Sequence, residues 1–264
     1  MAEPRMTIPD EIKDFVEVEN CDDFNEAKYF LTQRQIDIIK DIVKAQKVTA
    51  EMHNLGFDYV NTTLLYGPPG TGKTTFARFT AKQLDIDFVY INFVKLMEGG
   101  IFGNTAANLT KVFDFVSENE CLFMLDEIDY IATKRTEEGQ STGKELSRIT
   151  TTLMQNLDIC KKKRTETIIM AATNIVQNLD DALRSRFSIE REFPLLTNPE
   201  KEQFCIKYLK SALIPYNIDN IRNYVARNSR VTQRRMESDM QRAIAEWIYN
   251  DKEGEIEVKS ITGR

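Results

Sequence analysis

The sequence predicts an α/β fold: a doubly wound parallel sheet flanked by helices, followed by a small all-helical domain. Three observations predict it. A glycine-rich loop, Gly67-Pro68-Pro69-Gly70-Thr71-Gly72-Lys73-Thr74, joins the apolar run Thr63-Leu64-Leu65-Tyr66 to a helical pattern. Short continuous apolar runs then alternate with helical periodicity as far as Pro194, as strands buried on both faces of a parallel sheet would. Beyond Pro194 only helical periodicity remains.

Taken in chain order, residues 1–26 hold nine acids and two bases with few large apolar side chains in register. They read as a flexible acidic arm or a weakly docked segment, the solvated tail being the favoured form. From Tyr29 to Leu55, Ile36, Ile39, Val43 and Val48 recur at three- to five-residue steps and predict a leader helix ending near Gly56. The glycine loop comes next. Its glycines let backbone N–H groups curl inward around a polyphosphate, Lys73 reaches the β/γ oxygens, and the Thr74 hydroxyl ligates Mg²⁺. Thr75 opens the residues that follow, in which Phe76, Phe79 and Leu84 stand at near-helical spacing, so a helix N-terminus faces the phosphates. A nucleoside triphosphate is the expected ligand.

Phe88-Val89-Tyr90-Ile91-Asn92, Cys121-Leu122-Phe123-Met124-Leu125 and Thr167-Ile168-Ile169-Met170-Ala171-Ala172 read as buried strands. Between them, Leu109, Val112, Phe113 and Val116 share one helical face, and Leu146, Ile149, Leu153 and Leu157 another. The strand Leu122–Leu125 releases two adjacent acids. Asp126 is placed to reach Mg²⁺, usually through a water, and Glu127 to deprotonate water for in-line attack on the γ-phosphorus. After Pro194, helices are expected over Glu202–Leu213, Ile218–Ala226 and Thr232–Tyr249, with Thr232 as N-cap and Met236, Met240, Ala243, Ile244 and Trp247 on one face.

Composition narrows the function classes. The 264 residues, 42% hydrophobic and 29% charged, suit one substantial α/β core with a small second domain. No apolar run approaches the roughly 20 residues a bilayer requires, and Met1-Ala2-Glu3-Pro4-Arg5 lacks a secretory layout, so a cytosolic protein with no membrane partner is expected. Cys21, Cys121, Cys160 and Cys205 have no zinc or disulfide spacing and read as reduced thiols. His53 has no neighbouring ligand array. A net charge of −6 gives no general attraction to nucleic acid. The one basic run, Lys161-Lys162-Lys163-Arg164, reads as a solvated loop, since no aromatic residue is interleaved to stack bases.

Five motifs follow one another in order: Gly67 to Thr74, Asp126-Glu127-Ile128-Asp129-Tyr130-Ile131-Ala132-Thr133-Lys134-Arg135, Leu153-Met154-Gln155-Asn156-Leu157-Asp158, Ala171-Ala172-Thr173-Asn174, and Leu179 to Phe187. Their spacings resemble those of the AAA family, the ATPases associated with diverse cellular activities, over roughly residues 25–250. The resemblance implies a P-loop NTPase core with a parallel five-stranded sheet, a small helical lid, and rings, usually hexamers, with ATP between subunits. It divides the chain into an arm and leader helix at 1–55, an ATPase domain at 56–194, and a lid and tail at 195–264.

On that resemblance, Asn174 is similar to the family's polar sensor of the γ-phosphate or attacking water; its other reading is a strand-end Asn capping a turn. Arg186 resembles the arginine finger given to a neighbouring subunit, and Arg184 is the second candidate. The family's commonest form separates these arginines by Pro-Gly, whereas only Ser185 stands between them here. Arg234 or Arg235 is offered as a second sensor, against a solvated face beside Glu237. Ile101-Phe102, within Gly99–Gly103, is similar to a pore loop that grips an extended polypeptide; its other reading is simple packing on the sheet. The segment 136–143, with Glu137 and Glu138, matches a second pore loop by position. The resulting expectation is an Mg²⁺-dependent ATPase ring that remodels, unfolds or threads protein substrates, with a polypeptide substrate or adaptor protein as partner. A DNA-associated loader and a regulatory ATP-binding switch are the rival readings.

Overall fold

The computed structural model describes residues 3–98, 104–131 and 141–259. Among these, six strands form one sheet: β1 (Val16–Glu19), β2 (Thr62–Tyr66), β3 (Asp87–Ile91), β4 (Cys121–Leu125), β5 (Ile168–Thr173) and β6 (Ile189–Glu192), in the spatial order β1-β3-β4-β5-β2-β6. β2 to β6 pair in parallel, which gives the expected five parallel strands, and β1 adds an antiparallel edge along β3. The central strands β4 and β5 are buried along their whole length, as their uninterrupted apolar runs require. β6 is not an apolar run. Its sequence Ile-Glu-Arg-Glu lies on the open side of β2, where charged side chains protect an edge from pairing with other chains.

β1 corrects the reading of the acidic arm as a solvated tail. The acids face outward while Ile12, Phe15 and Val16 enter the main core. Val16 pairs with Ile91 and Glu19 with Phe88, and the Phe15 carbonyl accepts the N–H of Asn92. Further out, the buried Asp87 carboxylate accepts the backbone N–H groups of Arg5 (2.6 Å) and Met6 (3.2 Å). Charge counting conceals these few anchors because Ile12, Phe15 and Val16, and the alternation Val16-Glu17-Val18-Glu19, are each too short to stand out among nine acids.

The helices are α1 (Gln33–Asn54), α2 (Lys73–Leu84), α3 (Phe93–Glu98), α4 (Thr105–Ser117), α5 (Ser141–Lys163), α6 (Asp181–Arg184), α7 (Asn198–Ser211), α8 (Ile218–Arg227) and α9 (Gln233–Tyr249). In α1 the buried stripe is Ile38, Ile42, Ala45 and Thr49, not the expected Ile36, Ile39, Val43 and Val48. Both series satisfy helical spacing, so periodicity alone does not choose between them. The expected faces of α4 and α5 are packed against the core. α5 continues through Lys161, Lys162 and Lys163, so the basic run closes a helix where a loop was expected. Cations are favoured at a helix C-terminus, and Lys163 pairs with Asp114 at 2.7 Å. All four cysteines are buried and free, and burial pushes the Cys160 thiol up to about 12. His53, also buried, hydrogen-bonds through Nε2 to the Tyr59 carbonyl at 2.7 Å.

The chain divides into two compact units: residues 1–24, 37–67 and 73–192 form the first, and 25–36, 68–72 and 193–264 the second. In the second, Cys205, Leu209, Ile221, Val225, Met236 and Met240 make a separate core. α7 begins with a capping box, Thr197 and Glu200 exchanging side-chain and backbone hydrogen bonds, which starts the helix ahead of the Glu202 expected from periodicity. Thr232 caps α9 as expected, its hydroxyl accepting the Arg235 N–H. Among the described residues, no helix is long and apolar enough to cross a membrane.

Phe15→Ala tests the docked arm. Truncating this buried ring should destabilise the chain by about 3 kcal/mol, read by urea unfolding; a change under about 0.5 kcal/mol, as for a solvated surface residue, would mean that the arm contributes no core.

Candidate active site

The register of the sheet assembles this site. β5 lies between β4 and β2, with Leu125 beside Ala171 and Tyr66 beside Thr173. The residues that follow these strands, Asp126, Asn174 and Gly67, are therefore neighbours although far apart in sequence. The Gly67 N–H donates to the Thr173 carbonyl at 3.3 Å. Lys73, the first residue of α2, is buried, and its Nζ donates to the Gly67 carbonyl (2.7 Å) and to Asn174 Oδ1 (2.9 Å). An ammonium group held away from water needs such oxygen partners. One residue on, the Thr74 hydroxyl donates to Asp126 Oδ2 at 2.5 Å, while Asp126 Oδ1 accepts the Glu127 N–H at 3.0 Å.

Glu127 is exposed and has left-handed backbone angles, φ 52° and ψ 43°. That conformation is uncommon for a residue with a Cβ and clusters at functional positions. It is fixed by the 3₁₀ turn Ile128–Tyr130, whose Ile128 is buried. In the same turn, Asp129 Oδ1 accepts the Asn174 N–H at 3.2 Å. Thr75 is exposed on the first turn of α2.

Residues 68–72 of the glycine loop group with the second unit. The Thr71 hydroxyl donates to the Pro68 carbonyl at 2.9 Å, closing the loop on itself, with Pro69 between them. Gly70 has φ +75°, and its carbonyl accepts the Arg234 N–H at 3.2 Å. A Cβ on Gly70 would stand 3.0 Å from the Thr232 hydroxyl oxygen. Arg234, offered as a second sensor, thus meets the loop through its main chain. Arg235 instead pairs with the buried Asp239, Nε to Oδ1 at 3.3 Å.

The arginines after β5 are engaged elsewhere. Arg186 sets Nε and Nη2 on the Asp158 carboxylate at 2.9 to 3.2 Å, and Nη1 on the Ala182 carbonyl at 2.6 Å. Arg184 forks onto Glu190, at 2.9 Å through Nε and 2.5 Å through Nη2, and this hydrogen bond raises its pKa. The structure therefore gathers Gly67, Lys73, Thr74, Asp126, Glu127 and Asn174, while Arg184 and Arg186 hold other partners. Asp129 and Asp158 gain a part only in the fold. Each lies inside one of the five motifs, but the partner that gives it a part is distant in sequence. Ile101, Phe102, Glu137 and Glu138 lie outside the described residues.

A protein-family model, "ATPase family associated with various cellular activities (AAA)", matches residues 63–195. A cell division cycle protein 48 homolog from Archaeoglobus fulgidus is 32% identical over 172 residues, 64% of this chain and 23% of that protein. A putative 26S proteasome regulatory subunit homolog from Methanocaldococcus jannaschii is 33% identical over 163 residues, 61% of this chain and 43% of its own length. A probable 26S proteasome regulatory subunit 10B from Caenorhabditis elegans is 31% identical over 163 residues, 61% and 40% of the two chains. The chain spans less than half the length of each of these relatives.

Gly70 and Gly72 separate backbone strain from crowding. Both have left-handed φ, +75° and +87°, but a Cβ on Gly72 meets nothing within 4 Å. Gly70→Ala should therefore destabilise by about 1 kcal/mol more than Gly72→Ala, measured by chemical unfolding; equal losses would show that the approach of Thr232 is unimportant.

Proposed function

The chain belongs to the AAA family of ATPases, and on that footing we propose that it hydrolyses ATP with Mg²⁺ as a ring of its own copies that remodels, unfolds or threads polypeptides. The observation that supports the chemistry best is the meeting of Lys73, Thr74, Asp126, Glu127 and Asn174 at the carboxyl ends of β2, β4 and β5.

In this reading, backbone N–H groups of Gly67–Thr74 receive the phosphates at the N-terminus of α2, with Thr75 in its first turn. Lys73 already faces neutral oxygens and exchanges them for phosphate oxygens. Thr74 and Asp126 would hold the metal: a hydroxyl and a carboxylate side by side are the hard oxygen donors that Mg²⁺ takes. When bound, Mg²⁺ would neutralise negative charge on the phosphate oxygens. Glu127 accepts a proton from the attacking water as the water oxygen bonds to the γ-phosphorus. The bond to the bridging oxygen breaks, and ADP departs with its electron pair. Asn174 orients the water or the γ-phosphate.

Arg186 is the finger offered to the next copy in the ring, which makes hydrolysis depend on assembly, a hexamer in ATP being the proposed form. Asp158 and the Ala182 carbonyl hold its guanidinium until then. Arg184, forked onto a residue six positions on, is the weaker candidate. A polypeptide substrate or adaptor agrees with relatives named for the proteasome and for cell division cycle protein 48. The net charge of −6 gives nucleic acid no general hold, and a cytoplasmic setting fits this reading.

Glu127→Gln should bind ATP normally yet lose at least about a hundredfold in turnover, checked by steady-state hydrolysis; a normal rate rejects Glu127 as the base. Turnover per wild-type subunit should also rise with protein concentration as rings form. Arg186→Ala mixed with Lys73→Ala should regain hydrolysis, because the second variant donates an intact finger to the first. Mixed rings that stay inactive reject a finger acting between copies.

A further inference from the structure

We propose that Asp129 is a positioning residue for hydrolysis, fixing Asn174 relative to Glu127 by holding the Asn174 main chain; the inference rests on the ATPase reading above. Three observations carry it. First, the Asn174 N–H donates to Asp129 Oδ1 at 3.2 Å, across the adjacent ends of β4 and β5. Second, the turn that carries Asp129 also carries Glu127 and is fixed at both ends. Ile128 and Ile131 are buried, Tyr130 N–H donates to the Glu127 carbonyl (2.9 Å), and the Thr150 hydroxyl donates to the Ile131 carbonyl (2.6 Å). Third, the other end of Asn174, its side-chain Oδ1, is held by Lys73. Phosphate oxygens compete for Lys73, so on nucleotide binding the side chain of Asn174 is released and the Asp129 contact remains to locate it. The carboxylate thereby couples the proposed base and the proposed sensor through one rigid turn.

The test compares Asp129→Ala and Asp129→Asn, the second keeping an oxygen acceptor. Asp129→Ala should lower kcat and the preference for ATP over ADP roughly tenfold each, with KM changed less than threefold. Asp129→Asn should restore most of both. In an Asn174→Ala background, which keeps the main-chain N–H but removes the side chain being positioned, Asp129→Ala should cost less than twofold more. Amide exchange on the nucleotide-free chain adds a readout independent of turnover: the Asn174 amide should lose protection in Asp129→Ala. Wild-type kcat in Asp129→Ala, unchanged Asn174 protection, or full additivity with Asn174→Ala overturns the assignment alone. A wild-type chain that neither binds nor hydrolyses ATP overturns the ATPase reading and this assignment with it.

Discussion

The site depends on one buried ammonium group. Lys73 opens α2 and is only 7% exposed, so its charge must be met by oxygens within reach or its burial would cost several kcal/mol. The Gly67 carbonyl and the Asn174 side chain meet it. The first comes from the same loop; the second is available because β5 lies next to β2, a neighbour that the order of the chain does not supply. With Lys73 held, Thr74 follows one step along α2 and falls against Asp126, at the end of the strand on the far side of β5. Sheet order, helix start and acid pair are thus parts of one arrangement around a single charge.

Much of this was legible in the sequence, for reasons that differ from element to element. β4 and β5 announce themselves because strands buried on both faces are apolar throughout. The glycine loop does so because its backbone angles admit little else. β6 and β1 were not legible: their pairing energy comes from the neighbouring strand, and their own side chains are largely charged. Asp129 and Asp158 were invisible as actors for a similar reason. A carboxylate in a motif reads as a generic acid until its partner, Asn174 or Arg186, is brought to it by the fold. In α1 the failure was one of choice, since two apolar stripes compete and only tertiary packing selects Ile38 and Ile42.

The two arginine pairs illustrate how little an ion pair says about stability. Arg186–Asp158 and Arg184–Glu190 are partly exposed, and pairs of that kind contribute about 0–1 kcal/mol. Their weight lies in direction. A guanidinium has its donors in one plane, so fastening one edge to a carboxylate fixes where the rest of the group points.

The docking of the arm has a consequence for how the chain should be compared with others. Asp87 grips Arg5 and Met6 by their backbone N–H groups, and Phe15 contributes a carbonyl to Asn92. Every residue except proline offers the same N–H, so these two contacts discriminate only against an imino acid, while the Arg5 guanidinium on Asp85 and the Met6 side chain against the main core set demands of their own. Similarity scores built on side chains therefore register only part of what holds this segment to the sheet edge. An aspartate at the start of β3 is thus a mark of the docked arm that stands outside the arm's own letters.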